Sequence, residues 1–276
     1  MKTVLFISPH LDDAVFSCSG AIQQVVAAGN RALIATVFSH GSREHAVRRK
    51  EDEAASAILG AEVCWLGLRD APWRNSFYRG FREIILGTAP GDSDESVAAA
   101  LASVFNSEKP SGIFAPLAVG THVDHRLTFT AIGRIVDAGD ITFYEDRPYA
   151  FAKGAVDMRL RQLGCARSFD AASFFPSFRR LPHVRRYLPP GAERVACEAE
   201  MIAMSSARNK RRARAKVSTF TSAEARNARD AAAAYASQWL AFAGSARAWS
   251  RRNRRHAQSL GFSAPRAERY WTLSTL

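Results

Sequence analysis

Two short polar segments concentrate the residue types that bind metals and move protons. The first is Ser8-Pro9-His10-Leu11-Asp12-Asp13 and the second is Gly120-Thr121-His122-Val123-Asp124-His125. Neutral imidazole and carboxylate are suitable zinc ligands. A catalytic zinc keeps three protein ligands and one position open to water. Two adjacent aspartates on an extended loop do not point the same way. One can bind metal while the other faces the activated water, so a Lewis acid and a general base fit in one dipeptide. His122 and His125 are three residues apart. If they enter a helix they share a face and reach one centre. One can be a ligand and the other can meet charge that develops on the substrate, while Asp124 can hold an imidazole in its tautomer. Each segment alone has an ordinary explanation. Asp12 suits a helix N-cap, and a His-x-x-His pair arises often by chance. What raises the pair above chance is that each follows a predicted strand.

Those strands are legible as short β-rich apolar runs. They are Thr3 to Ser8, Ala32 to Phe38, Glu62 to Leu68, Gly112 to Leu117 and Ile141 to Tyr144. Between them the pattern predicts helices over Ser19 to Gly29, Arg43 to Leu59, Ser96 to Phe105 and His125 to Val136. Alternating strands and helices predict an α/β, Rossmann-like three-layer fold with a mostly parallel sheet flanked by helices. In such a fold the site lies beyond the carboxyl ends of the strands, where both polar segments fall. Phe77 to Asp94 lacks a period and is expected to be a loop over that edge. Residues after Pro148 are less regular, and Glu224 to Phe242 reads as one Ala-rich helix.

The chain has 276 residues, 47% of them hydrophobic, enough for a sizeable core in one domain. Residues 1–150 form the expected catalytic core and 151–276 a C-terminal elaboration. The first 200 residues hold 23 Lys and Arg against 23 Asp and Glu, whereas the last 76 hold 15 against 3. The whole net charge of +12 therefore belongs to a basic, helical C-terminal region. Two stretches dominate it, Arg208 to Lys216 and Arg247 to Arg255. The default for them is a solvated helix face. A contact with an anionic substrate or membrane surface is the alternative. Nucleic acid ranks lowest, because no nucleic-acid-binding motif accompanies the charge. No apolar run is long enough for a membrane span. The opening MKTVLFISPHLDD reads as a strand rather than a signal peptide. Cys18, Cys64, Cys165 and Cys197 are scattered, without a C-x-x-C, which suits free thiols in a cytoplasmic protein.

Pro9-His10-Leu11-Asp12-Asp13 and His122-Val123-Asp124-His125 resemble the two motifs of the LmbE-like deacetylases. That family includes the N-acetylglucosaminylphosphatidylinositol de-N-acetylases (PIG-L) and related bacterial sugar deacetylases. Arg48, Glu51, Ala55, Leu59 and Gly60 match a helix found between those motifs. The stretches from Tyr144 to Tyr149 and from Tyr235 to Gln238 resemble the bacterial glycan branch. The resemblance is firm over about residues 1–150. It implies that His10, Asp13 and His125 bind zinc, with Fe2+ as another possible divalent metal, and that Asp12 is the general base. By the same resemblance, His122 stabilises the oxyanion or protonates the leaving amine. Two positions depart from the family. Gly120 stands where some members have a tyrosine, and Leu11 replaces the commoner proline.

Arg43, in the loop after the second strand, and Asp70, just past the third, are placed to bind substrate. Arg48 and Glu51 can line the substrate cleft and are as readily a solvated helical pair. Trp73, Phe77 and Tyr78 can stack on a sugar, although a plain core cluster is the stronger reading. His40 and His45 are expected in loops, and His183 and His256 carry no signal. The function expected is N-deacetylation of a GlcNAc-like amino sugar or glycoconjugate, giving amine and acetate. The alternatives are hydrolysis of another acylamide on a glycosylated natural product, or a non-catalytic basic binding protein for nucleic acid or anionic glycans. An intact set of His10, Asp12, Asp13 and His125 argues against the last, since a binding module has no use for a base beside a metal site.

Overall fold

The computed structural model describes residues 1–204, 211–242 and 244–275. The chain begins with β1 (Thr3–Ser8), α1 (Asp13–Ala27), β2 (Arg31–Thr36), α2 (Glu44–Leu59) and β3 (Glu62–Trp65). A short helix, α3 (Ala71–Arg74), precedes the predicted loop and another, α4 (Phe81–Ile85), interrupts it before α5 (Glu95–Glu108), β4 (Gly112–Pro116), α6 (Val123–Ile132) and β5 (Ile141–Tyr144). Helices α7 (Ala155–Gln162), α8 (Ala171–Phe178), α9 (Pro182–Tyr187) and α10 (Gly191–Met204) follow. The chain then runs through β6 (Arg211–Thr219), α11 (Ser222–Ala234), α12 (Ala236–Phe242), α13 (Ala246–Ser259) and β7 (Ala267–Thr275).

All seven strands form one sheet in the order β3-β2-β1-β4-β5-β7-β6. The first five are parallel, and β7 joins β5 antiparallel and carries β6. Successive side chains of a strand point to opposite faces. Leu5 and Ile7 accordingly enter one core, with Val97 and Leu101 of α5 and Ile132 of α6. Phe6 enters the other, with Val15 and Ile22 of α1, Leu59 of α2 and Trp249 of α13. The expected three layers are present. Since β1 lies between β2 and β4, the connections leaving β1 and β4 diverge and open a crevice at their carboxyl ends.

The C-terminal half differs from its expected form in two ways. It is helical through α10 to α13, but it also supplies two strands that the sequence pattern did not reveal. The first Arg-rich stretch begins outside the described residues, at Arg208 to Lys210; from Arg211 it runs along the edge strand β6. There Arg212, Arg214 and Lys216 are exposed. Cations on an edge strand discourage pairing with a second chain. The second stretch lies on α13, whose buried face is Trp249, Asn253, His256 and Ala257, while Arg247, Arg251, Arg254 and Arg255 face solvent. The Ala-rich segment from Glu224 to Phe242 is broken at Tyr235, whose buried hydroxyl donates to Asp52 of α2 at 2.6 Å. That tertiary bond overrides alanine's helix propensity.

Glu145, just after β5, ties the added strands to the body. It is buried, accepts from Trp271 Nε1 of β7 at 2.9 Å, pairs with Arg269, and lies 3.3 Å from His256 Nε2 of α13. Burial alone would raise its pKa, but His256, Arg269 and Trp271 pull it down to about 2. A carboxyl held below its unfolded value stabilises the fold above the unfolded pKa and loses that contribution as pH falls through the folded one. Glu145→Gln is therefore expected to cost about 3 kcal/mol at pH 7. Urea unfolding across pH should show the gap between wild type and variant narrowing from about pH 4.5 towards pH 2.

Candidate metal centre and active site

The loop from β1 to α1 is pinned before it reaches the crevice. The Ser8 hydroxyl donates to the His10 carbonyl at 2.6 Å and accepts from Ala14 N–H at 3.0 Å. Asp12 sits at the N-cap position of α1, yet its side chain makes no capping bond. Asp13 is the first helical residue, and its Oδ2 accepts from the His10 backbone N–H at 2.8 Å. On the other side of the crevice, His122 is the N-cap of α6. Its ring Nδ1 accepts from Asp124 N–H at 3.2 Å, and His125 follows in the first turn.

The two segments converge on the Asp13 carboxylate. Its Oδ2 lies 3.2 Å from His10 Nδ1 and 3.2 Å from His125 Nε2. Each imidazole is held from behind by a second carboxylate. His10 Nε2 donates to Asp124 Oδ2 at 3.0 Å, and His125 Nδ1 donates to Asp146 Oδ1 at 2.6 Å. Both carboxylates are anchored in turn. Asp124 accepts from Ala71 N–H at 3.0 Å and from Arg74 at 2.6 Å, and Asp146 accepts from Val119 N–H at 2.8 Å. With those ring N–H groups committed, His10 Nδ1 and His125 Nε2 are the ring nitrogens that face Asp13 and would bind a metal beside it. That is the arrangement of metal-binding histidines, whose tautomer is set by the group behind them.

The electrostatics fit a cation. Asp12, Asp13, Asp70, Asp124 and Asp146 are all buried at this one edge. Buried charges are costly unless compensated. Without a metal the imidazoles must share that task. Against the opposing effect of burial, Asp13 raises His125 to about 9, and Asp70 with Asp124 raises His10. Asp13, against burial, is held far below the usual carboxylate range by His125 and His10. The donor set His10, Asp13 and His125 brings one ligand atom from each residue within 4.8 Å of the others. The atoms of His10, His122 and Asp124 meet the same condition. The latter set is less suited, because His10 Nε2 and Asp124 already bond to each other and His122 Nδ1 accepts from the backbone.

A cavity of about 570 Å3 opens over this centre. Asp12 lines it, and its Oδ2 has no hydrogen-bond partner among the described residues, although Arg48 lies 3.5 Å away. Burial raises Asp12 to about 7, with Arg48 opposing and Asp13 reinforcing the shift. His122 faces the same space, and burial followed by the neighbouring His10 charge lowers it to about 3. With Nδ1 accepting from the backbone, its neutral ring carries the proton on Nε2.

The remaining sequence candidates divide. Asp70 is in the cavity wall, 3.6 Å from His10 Nε2. Arg43 is not; it is exposed at the start of α2, because the helix begins at Glu44 and leaves it on the outer rim. Arg48, farther along α2, takes the place on the wall that was expected of Arg43. His45 is not a loop residue but lies buried in the first turn of α2, its Nε2 3.6 Å from Asp70. Tyr78 is buried and lines the cavity, bonded to Asp92 at 2.5 Å, whereas Trp73 and Phe77 are exposed outside it. Sequence reasoning missed Asp146 as an imidazole partner, although its strand-end position after β5 was a usable signal. It also passed over His183, which is buried in the cavity wall. His256 belongs to the Glu145 cluster and not to the cavity.

Residues 5–136 match the family model PIG-L, described as GlcNAc-PI de-N-acetylase. The chain is 34% identical over 173 residues to a 2'-N-acetylparomamine deacetylase of Streptomyces fradiae. That match covers 56% of this chain and 60% of the relative, so the chain spans about three fifths of that protein. A protein of the same description from Niallia circulans is 27% identical over 190 residues, covering 54% of this chain and 68% of the relative. Among solved structures, a deacetylase of teicoplanin biosynthesis superposes with a TM-score of 0.71 at 21% identity, covering 99% of this chain and 98% of that one. An A40926 pseudoaglycone deacetylase gives 0.65 at 20% identity, covering 98% and 96%. At those identities the structures show the shared fold. The family resemblance read from the two motifs is thereby borne out over residues 5–136.

The carboxylates behind the imidazoles should matter to any bound metal. Asp146→Asn, which keeps the shape but lets an amide face His125 Nδ1, is expected to weaken Zn2+ binding about 10- to 100-fold. Calorimetric titration of the metal-stripped protein with Zn2+ measures it; an unchanged affinity would remove Asp146 from the centre.

Proposed function

We propose that this chain, whose residues 5–136 match the PIG-L family, is a metal-dependent N-deacetylase. It hydrolyses the acetamide of a GlcNAc-like amino sugar in a glycosylated small molecule, giving free amine and acetate. One observation carries this reading: Asp12, with an unpartnered buried oxygen, stands on the cavity wall beside the convergent donors of His10, Asp13 and His125. His10, Asp13 and His125 would hold the metal, zinc in the first instance. When bound, it would supply Lewis acidity that activates a water and polarises the amide carbonyl.

The protein's own groups then have separate tasks. Asp12 accepts a proton from the attacking water as its oxygen adds to the carbonyl carbon. The C–N bond breaks, the nitrogen takes the proton from Asp12, and amine and acetate leave. His122 presents its Nε2–H to the carbonyl oxygen as that atom gains charge. Arg48 keeps Asp12 facing the cavity, and Asp70 with the pocket's rim takes sugar hydroxyls. The cavity volume lies within the range usual for small-molecule sites. Among the described residues no helix is long and apolar enough to cross a membrane. All four cysteines are free, in keeping with our placement of the enzyme in the reducing cytoplasm. The 2'-N-acetylparomamine of the curated relatives is the first substrate to offer, followed by N-acetylglucosamine conjugates with apolar aglycones.

Acetate release by the metal-loaded protein is the test. Asp12→Ala is expected to keep its metal and lose about 10²- to 10⁴-fold in kcat. Chelation should abolish turnover, and Zn2+ or Fe2+ should restore it. If the metal-loaded wild type releases no acetate from any acylated amino sugar, the deacetylase reading fails.

A further inference from the structure

The cavity wall carries three tyrosines, and only one has both an uncommitted hydroxyl and a fixed ring. Tyr78 is bonded to Asp92 and also accepts from Ala89 N–H at 2.9 Å. Tyr187 is 60% exposed at the end of α9. Tyr149 opens the 3-10 turn Tyr149–Phe151, and its hydroxyl has no hydrogen-bond partner among the described residues. It lines the same space as Asp12, Asp13, His122 and His125.

Its ring is seated on several sides. His183 packs edge-on at 4.7 Å between centroids, Phe178 stacks at 6.4 Å, and His125 stands edge-on at 6.3 Å. Below it runs the loop after β4. A Cβ at Gly120 would lie 2.3 Å from Tyr149 Cγ and 2.4 Å from Cδ1, so no other residue fits beneath the root of the ring. That loop is wound to make the space. Gly120 has φ +89°, and its neighbours Ala118 and Thr121 are held at +62° and +61°. Left-handed backbone at non-glycine residues is costly, and it persists where the surroundings impose it, often at functional sites. The root of the ring thus rests against Gly120 in a residue that lines the cavity. Burial, then the charges of Asp13, Asp146 and Asp12, oppose ionisation of its hydroxyl, which remains a donor.

We propose that the Tyr149 hydroxyl donates a hydrogen bond to the substrate's amide oxygen as that oxygen becomes negative, and that glycine at 120 is required to seat its ring. This rests on the deacetylase reading, and it adds a second donor beside His122. A donor fixed in advance and aimed at developing charge lowers the barrier without tightening ground-state binding. A tyrosine serving only as packing would leave the hydroxyl without consequence.

Steady-state acetate release by wild type, Tyr149→Phe, Gly120→Ala and the double variant tests the proposal, with thermal melting and metal content measured alongside. Tyr149→Phe keeps the ring. It should lower kcat on the order of 100-fold, with KM, melting temperature and metal content close to wild type. Gly120→Ala should lower kcat by displacing the ring, yet add little in the Tyr149→Phe background, because the hydroxyl it would misplace is already gone. If wild type turns over and Tyr149→Phe keeps its kcat, or changes only KM, the proposal is overturned while the deacetylase reading stands. A metal-loaded wild type without turnover overturns both.

Discussion

The Asp13 carboxylate, gripped between two imidazoles, is the interaction on which the rest of the centre depends. Its partners come from loops more than a hundred residues apart, His10 after β1 and His125 after β4. Those loops meet only because β1 and β4 are neighbours in the sheet. The adjacency is in turn a product of parallel crossovers that place β2 on one side of β1 and β4 on the other. Each residue of the centre sits on a segment that leaves a strand end, His10 and Asp146 directly after β1 and β5, and His122 to His125 beyond the loop that follows β4. The sheet holds the strand ends, and the segments that leave them carry the side chains to the crevice.

Concentrating five buried carboxylates at one edge is a liability that the surroundings offset. Asp124 and Asp146 are neutralised locally, the first by Arg74 and His10, the second by His125 and a backbone N–H. Asp13 is shared by two imidazoles, and Asp70 lies near His10 and His45. Asp12 is the exception, with one oxygen left without a hydrogen bond and only Arg48 nearby. A buried acceptor without a partner costs stability. In the proposed reaction that cost is the counterpart of a base ready to take a proton.

The C-terminal half holds this edge together through its contacts with α2 and with the end of β5. Tyr235 reaches Asp52 on the helix that carries Arg48, and Glu145 fastens β7 and α13 to the end of β5, one residue before Asp146. The surplus cations of this region have an ordinary place. Those on β6 guard a sheet edge, and those on α13 form the wet face of an amphipathic helix.

Much of this was legible in the order of residues. Period-2 and period-3.6 patterns located the first five strands and the helices between them, because local side-chain alternation is all that such patterns need. His10, Asp12, Asp13, His122, Asp124 and His125 stood out, because their spacing after strand ends is itself a local property. What the sequence left open depended on contacts between distant segments. Arg43 and Arg48 are equally basic in the sequence, and only the start and direction of α2 decide which one faces the cavity. Its strand-end position marks Asp146 as a candidate, but nothing local makes it the partner of His125 or sets His183 against Tyr149, since each pairing joins segments brought together by the sheet and the helices packed on it. β6 and β7 stayed hidden for the same reason. In β6 Ala213, Ala215 and Val217 alternate with Arg212, Arg214 and Lys216, but two alanines and a valine make too small an apolar face to announce a strand, and the run becomes one when β7 offers it a hydrogen-bonding edge.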